Sequence, residues 1–315
     1  ICACLVGSEM CIRDRFCSGL AFLDRPPMQA FWIVLSTFMT VASYALIKGL
    51  PEHWAFYEIF FFRMLLMAAA AFAAARLTGI ALKSAHPGLH VRRTAAGIAA
   101  LSLNIIAVRN LPLAVADVLV CTSPLFVAAW TCMAASRRGD PVDKASLVAV
   151  AAGFAGVVLV MNPNTEGVSP VHAATALVSS LFVATVFMCL KRLGRAREPV
   201  IRTVFWFASG GAVAAFMPAA LFGSHGVLDY VLEPGLWAIG LCTVAGQLAL
   251  TRGWGKGSTM LCAALQFSSV LFAVLIGIVL FDERPTLTLM IGMGVIVLAQ
   301  TLAAAATMKR NASPS

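Results

Sequence analysis

The chain has 315 residues, of which 60% are hydrophobic and 12% charged, and its mean hydropathy is +0.89. An ordinary soluble domain is about a quarter charged, so this composition excludes one. The net charge of +9 does not point to nucleic acid, because the basic residues form no single patch and fall in alternate loops.

Residues 1–27 do not match the rest of the chain. ICACLVGSEMCIRDR mixes cysteine with charge and has no helical or strand period. Its order of charged and apolar residues is wrong for a signal peptide. The natural start is expected near Met28, with residues 1–27 a non-native segment or a disordered cytoplasmic tail. Nine cysteines make no disulfide framework. Cys121, Cys132, Cys189, Cys242 and Cys262 lie inside apolar segments, where cysteine acts as a small hydrophobe.

Ten apolar segments come next, at about 30–50, 57–76, 94–110, 114–135, 146–162, 170–191, 201–222, 235–252, 258–281 and 286–307. About 20 helical residues cross a bilayer core of roughly 30 Å, so each is read as a transmembrane helix. Short loops with breakers separate them, among them Pro51, Pro87-Gly88, Asp140-Pro141, Asn162-Pro163-Asn164 and Pro285. The fourth segment carries Pro124 deep in its apolar run. An internal proline removes a backbone hydrogen bond, and Thr122 and Ser123 directly before it can re-satisfy the freed groups.

Loop charge sets an orientation, since Lys and Arg accumulate on the cytoplasmic side. Arg76, Lys83, Arg92 and Arg93 follow helix 2, and Arg137, Arg138 and Lys144 follow helix 4. Lys191, Arg192, Arg195, Arg197 and Arg202 follow helix 6, Arg252 and Lys256 follow helix 8, and Lys309 and Arg310 end the chain. The opposite loops hold only Lys48, Arg109 and Arg284. The expected fold is an all-α integral membrane protein of ten transmembrane helices, with both termini cytoplasmic.

The unit is written twice. Leu125-Phe126-Val127-Ala128 is echoed by Leu271-Phe272-Ala273-Val274, and Asp140-Pro141 by Asp282-Glu283-Arg284-Pro285. Gly153 to Val160 resembles Gly292 to Leu298. Five helices is an odd number, so two such halves lie in opposite orientations. Residues 28–163 and 164–308 are therefore expected to be inverted five-helix repeats, with 309–315 a cytoplasmic tail. Inverted repeats are a mark of secondary transporters, whose substrate site lies where the halves meet.

Several stretches resemble the drug/metabolite transporter superfamily of the ten-helix EamA type. They are Glu58 to Arg63, Leu111-Pro112-Leu113-Ala114, Ser123-Pro124-Leu125-Phe126, Gly153 to Val160, Gly246 to Thr251, Leu265 to Ser269 and Leu280 to Pro285. The chain departs from the pattern at Gly253-Trp254, where an Ala-Tyr type pair is usual. The resemblance implies a cytoplasmic-membrane carrier that moves small metabolites by alternating access, often outward. Some members are similar to importers of S-adenosylmethionine or riboflavin.

Arg63 is the sharpest candidate for a substrate contact. It lies about six residues inside helix 2, roughly 9 Å from the end, where a charge is costly and faces the bundle interior or a wet cavity. It can bind a substrate carboxylate or phosphate, or pair with Glu58 or Asp117. Glu58 and Asp117 lie near helix ends close to water and are read as caps or gate residues, with Pro124 as a moving kink. Asn104, Ser123, Gln247 and Gln266 are polar groups that either orient a substrate or bond helix to helix. Tyr44 and Trp206 offer rings for stacking, although most membrane aromatics serve packing.

Gly253 to Gly257 lacks the strand and the Lys-Ser/Thr of a phosphate-binding loop, and Pro87-Gly88 breaks any helix that would align His86 with His90 on a metal. No cofactor, metal or nucleic acid is expected. The expected partners are a small-molecule substrate and the lipid bilayer, with a homodimer left open. The function expected is secondary transport, in the outward direction, of an amino acid or related zwitterion or anion. An importer of the same family and a non-transporting scaffold are the alternatives.

Overall fold

The computed structural model describes residues 26–137, 148, 151–152, 155–156, 159, 169–256, 262, 265–266, 268–288, 290–298 and 301. The expectations for 1–25, for the loop after residue 137 and for the tail after 301 lie outside these residues.

All secondary structure among the described residues is helical. In chain order the helices are α1 (Pro26–Gly49), α2 (Phe56–Thr78), α3 (Pro87–Asn110), α4 (Leu113–Val120), α5 (Ser123–Arg137), α6 (Pro170–Arg195), α7 (Val200–Phe222), α8 (Val227–Leu232), α9 (Pro234–Lys256) and α10 (Ser268–Phe281). Six of these, α1, α2, α3, α6, α7 and α9, are long and apolar enough to cross a membrane. Helical backbone also occurs at 287–288 and 290–298.

Local sequence sets the ends. Pro87 and Pro170 stand at helix starts, where a missing N–H costs nothing. Gly79 closes α2 in the left-handed conformation at φ 68°. Successive long spans run in alternate directions, with α4 and α5 forming one broken span. The turns at 50–55, 111–112, 223–226 and 282–286 gather at one end of the bundle, called upper here, and those at 79–86 and 196–199 at the lower end. Lys48 reaching Glu283 and Tyr57 reaching Phe222 mark the upper end. Ser84 and Arg202 both reaching Glu198 mark the lower end.

The closest-packed pairs are α1 with α9, α2 with α7, and α3 with α6. Lipid offers no hydrophobic drive to helix association, so small residues that let backbones approach matter most. A Cβ added at Gly194 of α6 would collide with the backbone of Gly255 in α9. The Gly253-Trp254 pair has a similar explanation. Trp254 stacks on Phe187 at 4.1 Å between ring centroids, and Gly253 leaves room for the Ile33 side chain.

Two boundaries differ from expectation. The third span begins at Pro87, not at residue 94, so His90 and Arg93 belong to a helix and are buried, and Arg93 is no loop charge. The fourth span is not one kinked helix. It breaks at Cys121-Thr122 into α4 and α5, with Pro124 in the first turn of α5, a position that tolerates proline. The Thr122 hydroxyl lies 2.6 Å from the Leu119 carbonyl and 3.0 Å from Ser180 Oγ, so it shares one hydrogen between the backbone at the break and α6.

Candidate functional site

A cavity lies among α1, α2, α3, α4, α5, α6, α7, α9 and α10. Of the residues singled out in the sequence, Tyr44, Arg63, Asn104, Asp117, Ser123, Gln247 and Gln266 line it. Trp206 and Glu58 are not among its lining residues. Pro124 stands next to lining residue Ser123, at the helix break.

Arg63 is 3% exposed and projects from the buried face of α2 that also carries Ile59, Met67 and Ala71. Its Nε and Nη1 have no hydrogen-bond partner, and it makes no ion pair among the described residues. The alternative of an ion pair with Glu58 or Asp117 is not seen among the described residues. Asn104 donates to the Tyr44 hydroxyl at 3.0 Å and accepts from Ser179. This chain of bonds fixes both polar side chains in the cavity wall.

Asp117 is 4% exposed, so it sits in the buried wall and not near water. The Cys121 thiol lies 3.6 Å from its carboxylate and 2.9 Å from Ser269 Oγ. Gln266 contributes a buried amide oxygen without a partner. The cavity thus offers unpaired donors and unpaired acceptors together.

Arg93 escapes sequence reasoning that places it in a loop. It is 1% exposed, lies 3.6 Å over the Phe207 ring, and donates from Nη2 to Gln247 Oε1 at 3.0 Å. Its Nε and Nη1 have no hydrogen-bond partner among the described residues. The flat guanidinium fits the ring because Gly97 makes room, since a Cβ there would stand 2.5 Å from Phe207 Cε2. A signal is present in the sequence. Arg93, Gly97, Ala100, Leu101 and Asn104 fall at helical spacing on one face, and all five line the cavity.

Other charges meet partners at the two ends. Glu58 is fully buried and accepts from the backbone N–H groups of Ala55, Ser224 and His225 at 3.0, 3.1 and 3.3 Å. His225 Nδ1 lies 3.0 Å from the same carboxylate, and its ring stacks on Trp54 at 3.9 Å. Burial, with the Glu58 carboxylate nearby, holds the Tyr230 phenol above its usual range. Glu58 therefore caps α2 and anchors the 223–226 turn from a buried position. Lys48 bonds Glu283 and the Leu111 carbonyl, while Glu283 accepts from Leu113 N–H at 2.7 Å.

At the lower end, burial pushes the Glu198 carboxyl up. The Ser84 hydroxyl and the Arg202 guanidinium at 2.8 Å outweigh that and hold it below the usual carboxylate range. Trp206 belongs to this cluster, donating to the Leu82 carbonyl at 3.0 Å and stacking on His90.

Known proteins share both the sequence pattern and the fold. Residues 172–304 match the EamA-like transporter family. A pseudopaline exporter of Pseudomonas aeruginosa is 26% identical over 278 residues, which is 88% of this chain and 95% of that protein. Human solute carrier family 35 member G1 is 23% identical over 214 residues, 62% of this chain and 56% of that protein. A solved crystal structure superposes with a TM-score of 0.62 at 17% identity, covering 91% of this chain and 98% of its own, which is a likeness of fold.

Proposed function

We propose, from the premise that the chain belongs to the EamA-like transporter family through residues 172–304, that this multi-pass membrane transporter is a secondary carrier. It moves an amino acid or related zwitterion or anion out across the cytoplasmic membrane by alternating access. The observation that carries the reading is the interior cavity with buried, unpaired cationic groups on α2 and α3. Burying an uncompensated charge is costly, and a carrier recovers that cost when its solute arrives. The outward direction draws support from the exporter among its relatives.

The full proposal has ten spans in two inverted repeats with both termini cytoplasmic. Its support is the packing pattern. Numbering the spans as the sequence does, α1, α2, α3, α4–α5, α6, α7, α9 and α10 are spans 1, 2, 3, 4, 6, 7, 8 and 9. Exchanging each span with the one five places on turns the α1–α9 contact into α6–α3, α2–α9 into α7–α3, and α1–α10 into the contacts of α6 with α4 and α5. All of these contacts occur. The α2–α7 contact maps onto itself. A two-fold relation between halves gives this pattern.

In this reading Arg63, Tyr44, Asn104, Ser123, Gln247 and Gln266 contact the solute, and the break before Pro124 lets α5 move against α4. Trp206 is left to the lower-end cluster. The test is flux in liposomes containing the purified chain, with a panel of amino acids, nucleosides and organic anions. Saturable flux of an amino acid or organic anion is expected, falling about 10- to 100-fold in Arg63→Gln, since hydrogen bonds to charged groups are worth about 1.5–3 kcal/mol. Flux confined to nucleosides, or untouched by Arg63→Gln, would contradict the reading.

A further inference from the structure

We propose that the solute is a zwitterion with an ammonium and a carboxylate on one carbon, as an α-amino acid has, and that Asp117 holds the ammonium while Arg63 holds the carboxylate. The inference rests on the carrier reading above and narrows its substrate class to solutes that bring both charges.

Two opposite charges are buried in one cavity without meeting. Arg63 on α2 and Asp117 on α4 are both buried and both line it. Neither makes an ion pair among the described residues. Arg63 has no hydrogen-bond partner at Nε or Nη1 among the described residues. Asp117 meets neutral groups, the Cys121 thiol at 3.6 Å and the Ser269 hydroxyl. Such groups solvate a carboxylate but leave its charge uncompensated, which is costly inside a membrane protein. Asp117 is also the one carboxylate among the lining residues.

Tyr44 links the two positions. Its phenol lies within electrostatic reach of both Arg63 and Asp117, so the two charges flank one side chain. Asn104 donates to the Tyr44 hydroxyl at 3.0 Å and accepts from Ser179, which holds the phenol in place. Two charges kept near one fixed side chain, yet unpaired, suit a solute that brings the opposite pair.

An α-amino acid carries its two charges on one small head, and the bonds it makes at each end are of the strong, charge-assisted kind. A simple anion would satisfy Arg63 but set a second negative charge near Asp117, and like charges brought together disfavour the wrong partner. Arg93 has its own support in Phe207 and Gln247, and neither role needs it.

The test is binding to the purified full chain, using L-leucine, L-phenylalanine and L-glutamate. Each is set against its 2-hydroxy acid, which lacks the ammonium, and its α-amide, which lacks the α-carboxylate. We expect at least one amino acid to bind about tenfold or more tightly than both of its analogues. In Asp117→Asn the preference over the hydroxy acid should fall to about one, while that over the amide persists. In Arg63→Gln the preference over the amide should be the one lost. The wild-type ratios need no variant, so a variant that fails to fold leaves the test standing. A hydroxy acid or an α-amide bound as tightly as its amino acid overturns the zwitterion proposal and leaves the carrier reading. A preference that survives its matching variant does the same. If no member of the three series binds, the zwitterion proposal falls, and the wider flux panel decides whether the carrier reading falls with it.

Discussion

The rim and the cavity of this protein treat buried charge in opposite ways. At the upper rim, the buried Glu58 collects three backbone N–H groups and His225, and Lys48 meets Glu283. In the cavity, Arg63 and Arg93 are as deeply buried, yet among the described residues neither Nε nor Nη1 of either has a hydrogen-bond partner. Charges at the rim hold the helix ends together, and those in the cavity have no ion-pair partner among the described residues. Substitutions at the rim should therefore cost stability, while those in the cavity should cost transport.

The largest stability effect is expected at Glu58. Glu58→Ala leaves several buried donors without an acceptor, and breaking such a pair costs about 3 kcal/mol. Thermal unfolding of the solubilised protein would show it as a clear drop in Tm. Arg63→Gln should stay within about 1 kcal/mol of wild type in the same assay, because it removes an uncompensated charge. Equal losses at both positions would erase the distinction between rim and cavity.

A smaller effect is expected at Lys48 and Glu283, whose side chains are 19% and 13% exposed. Their bonds join the end of α1, the start of α4 and the segment after α10. Glu283→Gln should cost about 1 kcal/mol and raise the rate of upper-end opening, measured by labelling of a cysteine placed below it. Slower labelling would mean that this contact does not close the upper end.

The smallest effect is a pH dependence at the lower end. The Glu198 carboxyl is depressed in the folded protein. Its contribution is complete above the ordinary carboxylate value of about 4.3 and is lost as pH falls through the lower folded value. Glu198→Gln should flatten this acid limb of the stability profile. An unchanged limb would assign it to other groups.

Much of the fold is legible in the sequence because a bilayer demands long apolar helices, and hydropathy reports these directly. Tyr44, Arg63, Asn104, Gln247 and Gln266 are legible as polar groups inside apolar runs, where position alone makes them unusual. Arg93 is hidden because it adjoins Arg92 near a loop, and the loop-charge rule absorbs any such pair. The helical stripe it shares with Gly97 and Asn104 is the counter-signal. Glu58 and Asp117 look wet in the sequence because they lie near helix ends. Their burial depends on the 223–226 turn and on Ser269, partners too distant in sequence for local pattern to show. The break before Pro124 looks like a kink for a similar reason, since its Thr122–Ser180 tie joins residues 58 positions apart.

The central claim is that the cavity is a transport path reached in turn from each side of the membrane. Its most direct test is a cysteine at Thr40 or Leu101, both in the cavity wall, in an otherwise cysteine-free chain. Membrane-impermeant maleimide is applied to sealed vesicles from one face and then from the other. The account predicts labelling from both faces, slowed from both by a bound solute. Labelling from one face alone, or from neither, would contradict it.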